Sequence, residues 1–232
     1  MRMLRCTFCQ KTSSMQHVYC ISGLGADERI FCKLDLPGCT FHFVRWIQPE
    51  IRESIDTYAM RISQQITHDQ PVLMGVSFGG MMAIELAKIL AVDKVVLISS
   101  IKSFNELPAW MKICGRYKFD KLLPSKPLHT IRPLKALRPV QNYFLGTKSE
   151  EEKAIANHFR DHVDPLYLRW SINQILNWRN DWMPEHMYHL HGENDHIFPL
   201  KRVNPTHVVP NAGHFMVMNK CNEISEILRS IL

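Results

Sequence analysis

Between residues 71 and 88 the chain passes from one apolar segment to another through a glycine-flanked serine. Pro71-Val-Leu-Met-Gly-Val76 leads in, Gly75-Val76-Ser77-Phe78-Gly79 forms the junction, and Gly80-Met-Met-Ala-Ile-Glu-Leu-Ala-Lys88 leads out. The first segment reads as a buried strand and the second as a helix. A turn this abrupt forces its central residue into strained backbone geometry, and the flanking glycines remove side chains that would strike neighbouring chain. Ser77 is thereby lifted clear of the sheet edge, at the positive end of the helix that follows.

The rest of the chain supplies a frame for that junction. His17–Ser22, Thr40–Trp46, Val72–Val76, Lys94–Ser99, His186–His191 and Thr206–Pro210 read as short strands. Helical periodicity marks Ser54–Thr67, Phe78–Leu90 and a C-terminal segment carrying Ile224, Ile227, Leu228 and Ile231. Mostly non-alternating strands separated by helices predict an α/β fold: a largely parallel sheet of about six strands, covered by helices on both faces. Ligands bind such sheets at the carboxyl ends of the strands. The rhythm breaks from Ile101 to Pro184, a stretch rich in proline, tryptophan and tyrosine with helical pattern over Glu150–His162 and Pro165–Trp178. The expected organisation is a core of residues 15–100 and 185–232, with 101–184 as a helical cap inserted between two strands. Residues 1–14 are expected to be a disordered extension, and Met15, directly before the first strand, could be the true initiator.

Length and composition are those of one globular domain: 232 residues, 46% hydrophobic and 22% charged. A net charge of +6 without a Lys/Arg block argues against a nucleic-acid partner. No apolar stretch has the length of a membrane span. The basic N-terminus lacks the apolar core of a signal peptide. Seven irregularly spaced cysteines point to free thiols in a reducing compartment, so a cytoplasmic location is expected. Cys6-x-x-Cys9 has the spacing of half a zinc site, but no second pair follows, and no metal or organic cofactor is expected.

A serine hydroxyl needs a base to take its proton, and the base needs an acid to hold its tautomer. Both follow Ser77 in the chain. Asp195 lies in His191-Gly-Glu-Asn-Asp-His196, just after a strand, with Glu193 as the rival acid. His214 lies in Pro210-Asn-Ala-Gly-His214, where Gly213 would allow a tight turn. His191 is a candidate for ordering the acid loop and His196 for lining the site. Ser22-Gly23-Leu24-Gly25 follows the first strand, which leaves the Leu24 N–H free to point into the site beside that of Phe78. The same glycines tempt a phosphate-loop or dinucleotide reading, but the third glycine and the Lys-Ser/Thr pair are missing.

Taken together, the strand-end Gly-Leu-Gly, the Gly-Val-Ser-Phe-Gly-Gly turn, the His-Gly-x-x-Asp loop and the Ala-Gly-His loop resemble those of α/β-hydrolase fold serine hydrolases, from about Val18 to Leu232. The resemblance implies Ser77 as nucleophile, Asp195 as acid, His214 as base, and Leu24 and Phe78 as oxyanion donors. Many relatives carry histidine where this chain has Ser22, and the usual N-terminal hairpin is missing. The implied activity is hydrolysis of a carboxylic ester or related acyl bond in a small-molecule substrate. Phe104, Trp110, Tyr143, Phe144 and Trp170 are the expected substrate-binding aromatics of the cap. An alternative is an esterase, thioesterase or acyltransferase directed at an acidic acyl-carrier protein. It rests on Lys102, Lys112, Arg116, Lys118, Lys121, Lys126, Arg132, Lys135 and Arg138 against only Glu106 and Asp120 in residues 101–140. A third reading is a non-catalytic ligand-binding protein on the same fold.

Overall fold

The computed structural model describes residues 15–119 and 136–232. Residues 1–14, with Cys6 and Cys9, and the segment carrying Lys121, Lys126, Arg132 and Lys135 lie outside the described residues.

Six parallel strands form one sheet in the order β2-β1-β3-β4-β5-β6. They are β1 (Gln16–Ile21), β2 (Cys39–Val44), β3 (Val72–Val76), β4 (Lys94–Ile98), β5 (Met187–Gly192) and β6 (His207–Val209). All of β3 and four of five residues in β4 are buried, which is why their sequences are apolar without alternation. The two faces belong to separate apolar clusters. Leu73, Val95 and Leu97 pack on one side with Tyr58, Phe78 and Met82; Val72, Met74 and Val96 pack on the other with Ile224, Leu228 and Met216.

The helices are α1 (Ile55–Ile62), α2 (Phe78–Ala87), α3 (Ala109–Arg116), α4 (Arg138–Leu145), α5 (Glu150–His162), α6 (Pro165–Asn177), α7 (Met216–Asn219) and α8 (Cys221–Ile231). α2 is buried along its whole length, as its uniformly apolar sequence requires. Ser149 starts α5 by accepting the Glu152 N–H at 3.1 Å. Asp164 starts α6 by accepting from Leu166 and Tyr167, with Pro165 at the first helical position. Helices α3 to α6 all fall between β4 and β5. The short α3 and α4 were not legible in the sequence. Each spans only two turns, and each opens without a side-chain cap.

The chain steps outward from β1 to β2 and then returns to the other side of β1 for β3. Strand order therefore reverses between β1 and β3, and a crevice opens at their carboxyl ends. Ile21 pairs with Gly75, so the loop after β1 and the turn after β3 emerge side by side. No helix among the described residues is long and apolar enough to cross a membrane.

Candidate active site

Ser77 stands between β3 and α2 with φ 54° and ψ −119°, a conformation costly for any residue with a Cβ. Its surroundings hold it there. The Ser77 N–H donates to the Ile98 carbonyl at 2.9 Å, and its carbonyl accepts the Ser100 hydroxyl at 2.7 Å. The need for glycine on either side is steric. A Cβ on Gly75 would lie 2.2 Å from the Gly79 carbonyl oxygen, and one on Gly79 would lie 2.2 Å from that of Ile21. The turn is thus folded directly against β1.

Asp195 and His214 arrive on the two loops that follow β5 and β6. These loops are tied together: Asn194 N–H donates to the Ala212 carbonyl at 2.8 Å, and Gly192 passes so close to Ala212 that a Cβ would be 2.5 Å from that oxygen. His214 Nδ1 lies 2.8 Å from Asp195 Oδ2, and His214 Nε2 lies 2.9 Å from Ser77 Oγ. A carboxylate only accepts, so Nδ1 carries the proton, and the neutral ring presents a bare Nε2 to the serine hydroxyl. Asp195 Oδ1 accepts the N–H groups of Ile197 and Phe198 at 2.8 and 2.9 Å, which leaves Oδ2 to the histidine.

Asp195 and His214 are both buried. Burial pushes the Asp195 carboxyl up, but His214, His191 and the Phe198 N–H outweigh it and hold the pKa below the ordinary value. His191 donates Nε2–H to the Phe198 carbonyl at 2.7 Å, which braces the acid loop from within. Burial lowers the pKa of His191, so it does so as a neutral ring. Glu193 is exposed and accepts the Asn211 N–H at 2.9 Å, away from the imidazole.

Gly213 serves another purpose than the tight turn expected of it. It has no positive φ. A Cβ there would lie 3.1 Å from Gly146 Cα, at the left-handed residue that ends α4, and the Phe215 N–H donates to the Leu145 carbonyl at 2.8 Å. The histidine loop is thus clamped onto the helices between β4 and β5.

On the opposite side of Ser77 is the loop after β1. A Cβ on Gly23 would come 3.5 Å from Ser77 Cβ. Phe78 is the first residue of α2, so its N–H has no acceptor within the helix. Leu24 lines the cavity above Ser77. Ser22 ties the loop down: its hydroxyl donates to the Ala26 carbonyl at 2.7 Å and accepts the Trp46 indole N–H at 3.0 Å.

That cavity has a volume of about 290 Å³. Ser77 and His214 form part of its floor, with Gly23, Gly25 and Phe198 beside them. Met111, Leu145, Ala156, Phe159, Val163, Leu168 and Ile175 wall it from α3, α4, α5, α6 and the α5–α6 loop. Arg160 also lines it. Its Nη2 donates to Asn157 Oδ1 at 2.7 Å and to Asn142 Oδ1, while its buried Nε has no hydrogen-bond partner among the described residues. Burial, and then the neighbouring Arg138, lower its pKa to about 10.

None of the five expected substrate-binding aromatics lines this cavity. Trp110, Tyr143 and Phe144 are 55%, 64% and 43% exposed on the outer surface. Tyr143 stacks on His196 at 4.7 Å, which also takes His196 out of the lining. Phe104 lies under the Arg179 guanidinium at 3.4 Å. Trp170 is buried against Tyr58 and Phe78, with its indole N–H on the Glu53 carbonyl at 2.8 Å. The lining is mostly aliphatic instead, with Phe159, Phe198 and Phe215 as its phenyl rings, and much of it is drawn from the inward faces of helices. Met111 is one position beyond the outward-facing Trp110, and a helix turns about 100° per residue.

The basic run is partly neutralised. Lys102 is 3.6 Å from Glu106 and donates to the Asn204 carbonyl, Arg138 pairs with Asp161, and Lys112 sits over the Phe104 ring. Arg116 and Lys118 are exposed.

A serine, a histidine and an aspartate joined in one hydrogen-bonded line at the carboxyl ends of a six-stranded parallel sheet define an α/β-hydrolase architecture. The alpha/beta hydrolase family model matches residues 13–223, and the chain belongs to that family. No curated protein matches the sequence. Among solved structures, an esterase from Exiguobacterium antarcticum shares 17% identity at a TM-score of 0.69, over 94% of this chain and 91% of its own. A thermophilic esterase from Thermogutta terrifontis shares 16% at 0.66, over 93% and 90%. ClbQ, from the colibactin NRPS/PKS pathway, shares 15% at 0.58, over 94% and 97%.

Proposed function

We propose that this protein is a serine hydrolase that cleaves a carboxylic ester or related acyl bond in a small molecule. The observation that carries the reading is the line Asp195–His214–Ser77 on the floor of an apolar cavity. Ser77 Oγ attacks the acyl carbonyl while its proton passes to His214 Nε2. The Asp195 carboxylate stabilises the imidazolium that results. The oxyanion is held by the N–H groups of Leu24 and Phe78, the second reinforced by the positive end of α2. His214 then returns its proton to the leaving alcohol. Water, deprotonated by the same Nε2, attacks the acyl-enzyme and releases the acid. Family membership and the two esterase neighbours support the same chemistry.

Residues 101–184 act as the cap over a core of 15–100 and 185–232. The wall residues Met111, Leu145, Phe159, Val163 and Leu168 suit an aliphatic acyl chain. Arg160 gives that wall a positively charged end, which suits a carboxylate on the far end of the chain. A carrier-bound acyl group is the second reading, favoured by the ClbQ neighbour and by the exposed Arg116 and Lys118.

The test is a fluorophosphonate probe with p-nitrophenyl esters of rising chain length. Wild-type protein should be labelled once, on Ser77. Ser77→Ala should lose labelling and hydrolysis while keeping its melting temperature. Label on another serine, or none on folded wild-type protein, overturns the assignment.

A further inference from the structure

The chemistry above occupies the carboxyl ends of the strands. On one face of β1 and β2 is a group of side chains that plays no part in it. Tyr19 pairs with His42 across the two strands, and residues two apart in a strand share a face, so His17, Tyr19 and His42 stand together. His68 joins them from the loop before β3. One ring nitrogen from each of His17, His42 and His68 lies within 4.8 Å of the other two. His17 Nδ1 and His42 Nε2 are 3.0 Å apart, and the His17 and His68 rings stack with centroids 3.5 Å apart. All three are half-buried, so the cluster is held by its neighbours yet open to solvent.

Neutral imidazole is the form that binds metal. The outer partner of such a ligand is also present. The Tyr19 hydroxyl lies 2.7 Å from His68 Nδ1 and accepts the Thr67 N–H at 3.0 Å. If His68 Nδ1–H donates to that oxygen, the tautomer is set and Nε2 is left bare, as in the oriented histidines of metal sites. Tetrahedral zinc with Zn–N near 2.05 Å needs nitrogens about 3.3 Å apart. The His17–His42 pair is already close to that spacing. Bringing the His68 nitrogen to the same spacing requires a side-chain rotation that opens the His17–His68 stack.

We propose that His17, His42 and His68 form a three-histidine site for a borderline divalent ion such as zinc, with water completing the shell. Imidazole donors without thiolate or carboxylate suit zinc, nickel and copper rather than magnesium or calcium. His17 precedes Ser22 by five residues and His42 lies opposite Tyr19, three residues before Ser22, so about 10–16 Å of extended strand separates the ion from the strand ends where Ser77 stands. It acts as a clasp. It joins β2, an edge strand of the sheet, to β1 and to the loop before β3.

Zinc titration of the chelator-stripped full chain against a competing dye tests this. One equivalent should bind, and free zinc at a hundredfold excess over Kd should raise the melting temperature by roughly 5–10 °C. His42→Gln should lose stoichiometric binding while keeping wild-type ester hydrolysis. Tyr19→Phe should weaken affinity by about 10–100-fold with the stoichiometry kept. Cobalt should give visible bands of a four-coordinate site in the wild type and not in His42→Gln. If that variant fails to fold, His17→Gln and His68→Gln serve the same purpose. Absence of stoichiometric binding overturns the site. So does binding that survives all three histidine substitutions, or binding that disappears in the Cys6→Ser/Cys9→Ser double variant. These readouts do not depend on whether Ser77 is a nucleophile.

Discussion

Replacing Asp195 by asparagine changes one atom and is expected to cost about four orders of magnitude in kcat. Asp195 Oδ1 accepts two backbone N–H groups and Oδ2 faces His214 Nδ1. An asparagine keeps both backbone bonds only if its oxygen takes the Oδ1 position and its NH₂ faces the imidazole. The opposite flip would turn two N–H donors against an NH₂. With the amide so fixed, His214 must accept at Nδ1, and its proton moves to Nε2. A proton on Nε2 points at Ser77 Oγ, 2.9 Å away, and the base is gone. Loss of the correct tautomer in such triads lowers kcat by about 10⁴, which corresponds to about 5.4 kcal/mol of transition-state stabilisation. The protein should remain folded, since every backbone bond of the loop is retained. The assay is kcat on the best p-nitrophenyl ester at neutral pH, with Glu193→Gln as the control and an expected loss under about tenfold, since its carboxylate bonds the Asn211 N–H and not His214. Asp195→Asn activity within tenfold of wild type would refute the reasoning. So would a Glu193→Gln loss as large as that of Asp195→Asn.

His189 is fully buried, and burial, then His191 and Lys102, lower its pKa to about 3. The unfolded chain takes up a proton near pH 6.5 that the folded one refuses, so stability is lost as pH falls through that window. From pH 6.5 to 5 this one residue should account for roughly 2 kcal/mol, and urea melts of His189→Leu should show a correspondingly flatter pH dependence. Gly79→Ala should fail to yield folded protein, judged by circular dichroism, because the Cβ would meet backbone at 2.2 Å; a cooperative melt near that of wild type would contradict the close approach to Ile21. Arg160→Leu should raise KM about 10–100-fold for a p-nitrophenyl ester whose acyl chain ends in a carboxylate, and leave its uncharged counterpart nearly unchanged. An unaltered ratio between the two esters would remove Arg160 from substrate choice.

Much of this protein could be read locally. The central strands were visible because a strand buried on both faces must be apolar throughout, and Val72–Val76 and residues 95–98 are. The positions of Ser77, Asp195 and His214 were visible because each sits in a short loop at a strand end, in a pattern of glycines that close packing imposes. The choice of Asp195 over Glu193 needed distances, since two carboxylates two residues apart look alike until a loop directs one inward and the other to solvent. The cavity wall was the least legible part. Aromatic residues were expected to face the site because they are large and apolar. Yet an exposed Tyr143 and a buried Leu168 obey the same helical periodicity, and only the placement of α3 to α6 over the sheet decides which face looks down on Ser77. The same holds for His17, His42 and His68. Residues 17, 42 and 68 are unremarked histidines along the chain, and parallel pairing of β1 with β2 is what brings their rings together. Local sequence determines which segments must be buried and which turns need glycine, because those costs are paid within a few residues. Which side chains meet across the fold depends on strand register and helix docking, and these are settled only when distant segments pack.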